Sequence, residues 1–188
     1  MEEQEIANKC RRKDREAQQE LYEKFGKYLF RICIRYMKQR SDAEDMLQES
    51  FLKIFDVIGK FKWLGKDSLR SWLARVTINE CLQKLRKKEL LDFSESIENS
   101  KNTCDKSYES PEKENVNCIP PAVLQEMLLS LPDGYRTVFN LYVFEKKSHR
   151  EIAGMLGINE KSSSSQFYRA RKQLAKKIIN YRKKQESV

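Results

Sequence analysis

The sequence predicts an all-α protein of two helical domains joined by a flexible acidic linker, and three observations carry that prediction. Among 188 residues only 6 are glycine and 4 proline, too few turn formers for a many-stranded β fold. Apolar residues recur at steps of three and four, the helical period, through most of the chain. Charge is partitioned: residues 1–88 hold 21 basic and 14 acidic groups, residues 89–121 hold 3 and 8, and residues 122–188 hold 13 and 6. Two basic blocks therefore flank an acidic bridge. The formal net charge of +9 and a pI near 9.3 point to a polyanionic partner.

The elements follow in order. A helix is predicted over about Asp14–Tyr36, with Ala17, Leu21, Tyr22, Phe25, Leu29, Ile32 and Cys33 recurring at steps of three and four and Gly26 as a break. Ser41-Asp42-Ala43-Glu44 has capping-box spacing and predicts a helix start, followed by Ala43, Leu47, Phe51, Ile54 and Ile58 on the buried face and Asp45, Gln48, Glu49 and Asp56 on the other. Gly59 to Asp67 interrupts the pattern, and a helix over about Ser68–Lys88 buries Leu73, Val76, Ile78, Leu82 and Leu85. Glu89–Pro121, rich in Ser, Asn, Glu and Lys, lacks periodicity and reads as a linker.

In the second block Pro120-Pro121 opens a short helix that Pro132 ends, and Tyr135–Phe144 forms the next. Ser148-His149-Arg150-Glu151 is a second capping-box spacing, placing His149 in an exposed first turn, and Gly157 is the stop of that helix. Asn159 caps a last helix reaching about Tyr181, with Phe167, Ala170, Leu174 and Ile178 inward.

Several function classes are excluded. No apolar run approaches the roughly 18 residues of a membrane span, and Met-Glu-Glu-Gln-Glu is unlike a secretory signal, so no membrane insertion and a cytoplasmic location are expected. The cysteines Cys10, Cys33, Cys81, Cys104 and Cys118 include no Cys-x-x-Cys pair and suit reduced thiols. With His149 the single histidine, no metal site is expected; no Gly-rich phosphate loop or His-Glu-x-x-His supports a cofactor or an enzyme.

A short helix, a turn on Gly157 and a second helix bearing Ser164, Ser165, Tyr168, Arg169, Arg171 and Lys172 outward make a helix-turn-helix. Arg can form bidentate bonds to guanine, small hydroxyls allow close approach, and flanking Lys supplies counterion release. A second stripe, Trp72, Arg75, Asn79, Gln83 and Arg86 at steps of 3, 4, 4 and 3, can follow a nucleic acid backbone.

Leu131-Pro-Asp-Gly-Tyr-Arg-Thr-Val-Phe-Asn-Leu-Tyr-Val-Phe144 with Ser148-His-Arg-Glu-Ile-Ala-Gly-Met-Leu-Gly-Ile158 resembles the fourth conserved region of the extracytoplasmic-function (ECF) group of bacterial sigma factors. Its wording is nearest to members from the Bacteroidetes. Asp42-Ala-Glu-Asp-Met-Leu-Gln-Glu-Ser-Phe51 resembles the second region, which Ser71-Trp-Leu-Ala-Arg-Val-Thr-Ile-Asn79 continues.

The resemblance implies a sigma factor that binds core RNA polymerase through the β′ clamp and β flap, directs it to promoter DNA and assists opening, with an anti-sigma factor as a further possible partner. It assigns 1–88 to region 2, 89–121 to the linker and 122–188 to region 4. Polymerase binding then falls to Asp42, Asp45, Leu47, Gln48, Glu49 and Phe51. Minus-ten recognition falls to Arg75, Asn79, Gln83 and Arg86, with Phe61, Trp63 and Leu64 as walls for a flipped base. Many relatives have Gly-Thr, then Val or Ser, then Lys or Arg where this chain has Lys161-Ser162-Ser163-Ser164. Minus-thirty-five readout therefore rests on Ser165, Tyr168 and a central Arg169, with Lys161 and Arg171 on phosphates and Ser164 and Lys172 on the same DNA-binding face. The alternative is a stand-alone helix-turn-helix regulator, which needs neither the acidic bridge nor the Asp42–Phe51 motif.

Overall fold

A helix occupies the first dozen residues, where the sequence analysis places none. In α1 (Glu3–Arg11) Ile6, Ala7 and Cys10 are buried, a stripe of two turns that is too short to stand out as a period. In the computed structural model residues 2–87 and 119–186 are described, and every regular element among them is helical. The acidic bridge falls almost wholly outside the described residues, as do Cys104 and Cys118. The chain divides into two units, Met1–Lys88 and Glu89–Val188.

In the first unit α1 turns through Lys13, at φ 61°, into α2 (Arg15–Tyr36), whose start Asp14 caps by accepting the Ala17 N–H at 3.0 Å. α2 runs unbroken through Gly26, contrary to the expected break. Leu21, Phe25, Leu29 and Ile32 stay in register on either side of it, and their burial outweighs the cost of about 1 kcal/mol for glycine in a helix. α3 (Arg40–Val57) starts at Arg40 behind Gln39, without the Ser41–Glu44 capping box. Glu44 instead accepts from Arg40 Nε at 2.8 Å.

A single 3-10 turn, Ile58–Lys60, leads to α4 (Ser68–Lys87). Leu69, Leu73, Ile78, Leu82 and Leu85 of α4 are buried with Tyr36, Met46 and Ile54, whereas Val76 is only half-buried. Cys10, Cys33 and Cys81 are free and buried. A hydrogen bond to Cys33 and burial push the Cys81 thiol well up, and burial raises Cys10 to about 11.

The second unit comprises α5 (Pro121–Leu129), α6 (Asp133–Val143), α7 (His149–Leu156) and α8 (Glu160–Glu186). Leu128, Leu131 and Ala170 are buried together under Tyr135, Phe139 and Leu174. Arg136 is buried here too, 1% exposed, and sits 2.8 Å from Asp133 Oδ1 while donating to the Leu131 carbonyl at 3.0 Å.

Candidate nucleic-acid interface

The exposed side of α4 carries Arg75, Asn79, Gln83 and Arg86, all solvent-facing at helical spacing. Burial of Leu73, Thr77, Ile78, Cys81 and Leu85 on the opposite side fixes that orientation. At the helix start, Arg70 lies over the Tyr28 ring at 4.2 Å and ties α4 to α2. Trp72, the first member of the stripe, is half-buried against Phe61, with ring centroids 5.5 Å apart.

The loop before α4 sorts its three aromatic and apolar residues by depth. Phe61 is 3% exposed and meets Trp63 edge-on at 6.4 Å, so it backs the loop and does not line an open pocket, a correction to its expected role. Trp63 is half-buried and Leu64 is 85% exposed. The turn is built from Gly65 at φ 104° and Asp67 at φ 62°. Ser68 closes it, its Oγ donating to the Gly65 carbonyl at 2.6 Å and accepting the Leu64 N–H at 3.3 Å.

On α3, Asp45, Gln48 and Glu49 are exposed and Asp42 is half-buried, whereas Leu47 and Phe51 are core residues. Phe51, 4% exposed, packs on Tyr22 at 4.7 Å, and Leu47 is 7% exposed, so the exposed polar members of the expected polymerase-binding set are Asp45, Gln48 and Glu49. Glu49 is engaged by Lys84 of α4 at 2.6 Å, a hydrogen bond that raises the Lys84 pKa. Leu52, one turn beyond Gln48 and 72% exposed, is a member of this face that sequence reasoning missed. An apolar residue off the buried stripe is the signal that could have found it.

In the second unit the helix-turn-helix forms as its local chemistry dictates. Ser148 and Glu151 make the reciprocal capping box, Gly157 ends α7 in the left-handed region at φ 71°, and Asn159 accepts the Ser162 N–H at 2.7 Å. Ser163, Gln166 and Ala170 are buried, and Phe167 packs tilted on Tyr142 at 4.3 Å and stacks on Phe139 at 6.0 Å. His149 is not an exposed first-turn residue. Its ring stacks on Tyr142 at 4.7 Å, its Nδ1 pairs with Ser163 Oγ at 2.9 Å, and burial lowers its pKa.

This packing centres the outward face of α8 on Lys161, Ser165, Tyr168 and Lys172, at steps of 4, 3 and 4, with Ser164 exposed beside them. Arg169 is half-buried on one flank, and Arg171, whose guanidinium lies 5.9 Å from the Phe167 ring, is on the other. The expected central position of Arg169 is therefore corrected. Because Gln166 and Ser163, both polar, join the inward side, the outward face rotates away from Arg169.

Residues 21–90 match the family model described as Sigma-70 region 2, and residues 122–174 match Sigma-70, region 4. The RNA polymerase sigma factor YlaC of Bacillus subtilis is 25% identical over 173 residues, covering 92% of this chain and 98% of that protein. The ECF RNA polymerase sigma factor SigW of the same species is 27% identical over 172 residues, 88% of this chain and 90% of that one. Among solved structures, the sigma factor RpoE crystallised with the anti-sigma factor NepR from Bartonella quintana aligns with a TM-score of 0.52 at 21% identity. The alignment covers 86% of this chain and 95% of that one, a likeness of fold.

Proposed function

This chain belongs to the sigma-70 family of RNA polymerase sigma factors, in its ECF group, and we propose that it divides promoter reading between its two units. It is a non-enzymatic initiation factor that binds core RNA polymerase and directs it to promoter DNA. The observation that carries this reading is the ordered pair of region 2 and region 4 matches, each coinciding with an exposed helix face of hydrogen-bonding and basic side chains.

In this reading residues 1–88 bind polymerase through the α3 face of Asp45, Gln48, Glu49 and Leu52 and engage the minus-ten element through Arg75, Asn79, Gln83 and Arg86. Trp63 and Leu64 meet the unpaired base, for stacking and apolar contact are what an extruded base requires. Residues 122–188 read the minus-thirty-five element through the α8 face, and 89–121 tether the two. No helix among the described residues is long and apolar enough to cross a membrane, and we place the protein's action in the cytoplasm, where promoters are. The reading admits an anti-sigma factor as regulator.

The test is transcription from a cognate promoter by core polymerase with and without this chain. Factor-dependent transcripts, together with weak promoter binding by the chain alone, are expected. Tight, sequence-specific binding by the isolated chain that polymerase does not alter would instead identify a stand-alone regulator.

A further inference from the structure

α1 precedes residue 21, where the family match begins, yet it touches the loop that presents Trp63 and Leu64. Arg11, at its last turn, donates from one guanidinium nitrogen to the Phe61 carbonyl across fifty residues of sequence, and from the other to Asn8 Oδ1 at 3.3 Å. Phe61 is the buried residue at the start of that loop, with Trp63 and Trp72 against its ring. The loop is therefore held at both ends, by Arg11 at Phe61 and by Ser68 at Gly65. Between these two clasps lies Leu64, 85% exposed. A guanidinium is suited to the first clasp, since its planar fork serves two acceptors at once.

We propose that Arg11 is a positioning residue for promoter opening, holding the 61–67 loop in the shape that presents Trp63 and Leu64 to the unpaired strand. This rests on the function proposed above. Without the Arg11 bond the Phe61 carbonyl loses its clasp, the loop samples other shapes, and the strand pays for ordering it at the moment of capture.

Two readouts test it. The chain has two tryptophans, so in a Trp72→Phe background Trp63 alone reports the loop, and Arg11→Ala should increase its quenching by acrylamide. In the full chain with core polymerase, Arg11→Ala should reduce permanganate-reactive thymines on duplex promoter about tenfold, the loss expected for one charge-assisted hydrogen bond. A premelted template should restore transcription. Arg12→Ala, which removes the same charge next door, should show neither effect. Arg11→Lys, a milder variant that keeps charge and stem but not the fork, should fall between. Unchanged quenching, or equal losses on duplex and premelted templates, overturns the proposal. A wild type that opens the promoter beside an Arg11→Ala that opens it equally well sinks the clasp alone, whereas a wild type that opens nothing sinks the initiation reading and the clasp with it.

Discussion

The Lys84 ammonium of α4 lies 2.6 Å from the Glu49 carboxylate of α3, so one member of the polar α3 face is already committed inside its own unit. Both side chains are partly exposed, and such a pair contributes at most about 1 kcal/mol. The uncommitted feature of that face is Leu52, 72% exposed between polar neighbours. Leu52→Asp should leave stability within about 0.5 kcal/mol, as surface substitutions do, and weaken binding to core polymerase severalfold. Glu49→Gln should change binding less than Leu52→Asp. Equilibrium binding to core polymerase alongside urea unfolding checks both, and equal binding by wild type and Leu52→Asp would move the polymerase contact elsewhere.

Arg136 is the largest fully buried side chain among the described residues, and burial lowers its pKa while Asp133 at 2.8 Å supports the charged form. Arg136→Ala should destabilise the second unit by about 3–5 kcal/mol, because it removes the cation beside the nearly buried Asp133 carboxylate. Arg136→Met with Asp133→Asn should recover most of the loss. The one histidine, His149, lies in this unit, so its imidazole proton resonance can follow unfolding in urea without interference from the first unit.

How much of this was legible depends on how local the cause is. The backbone of the helix-turn-helix is legible, since the Ser148–Glu151 box, the left-handed Gly157 and the Asn159 cap are each settled by residues only a few positions away. The Ser41–Glu44 spacing is equally local and still failed, because Arg40 competes for Glu44 and the helix starts two residues early, with Gln39 and not Ser41 at its N-cap. Phe61 looks like a loop aromatic only until its partners arrive from distant sequence, Trp72 and the Arg11 clasp, whereas Phe51 keeps the buried side its apolar period predicts. Arg169 was misplaced for a related reason. A stripe drawn through apolar residues alone leaves out Ser163 and Gln166, which are buried although polar, and Ser163 is held there by His149.

The capping box predicts a pH dependence. Glu151 accepts from the Ser148 N–H at 2.9 Å, from the Ser148 hydroxyl and from Lys147 Nζ, and these bonds lower its pKa to about 2 from an ordinary 4.5. A carboxylate whose pKa is depressed on folding stabilises fully above its unfolded pKa, and that contribution is lost as pH falls through the folded value. The window therefore runs from about pH 4.5 down to about 2. Glu151→Gln, which keeps the shape of the box, should lower stability at pH 6, and its deficit relative to wild type should shrink across that window. Urea midpoints read from the His149 resonance would show this. A deficit that stays constant with pH would mean that Glu151 acts through shape and not charge.

The α8 face separates reading from holding. Lys161, Ser165, Tyr168 and Lys172 lie along its centre, whereas Arg169 is half-buried at the edge. Tyr168, 41% exposed, is the one large side chain there that can touch a base edge or a thymine methyl with an uncharged surface. Tyr168→Ala should therefore flatten the preference at one position of the upstream element, by about the 1–3 kcal/mol of a mismatched pair. Lys172→Ala should weaken binding to all sequences alike and reduce the slope of log K against log salt by about one. Arg169→Ala should keep the wild-type base preferences. Selection of functional promoters from a randomised upstream element distinguishes the three: a changed preference in Arg169→Ala but not in Tyr168→Ala would return base reading to the flank of the helix and show that α8 enters the groove rotated from the orientation its packing implies.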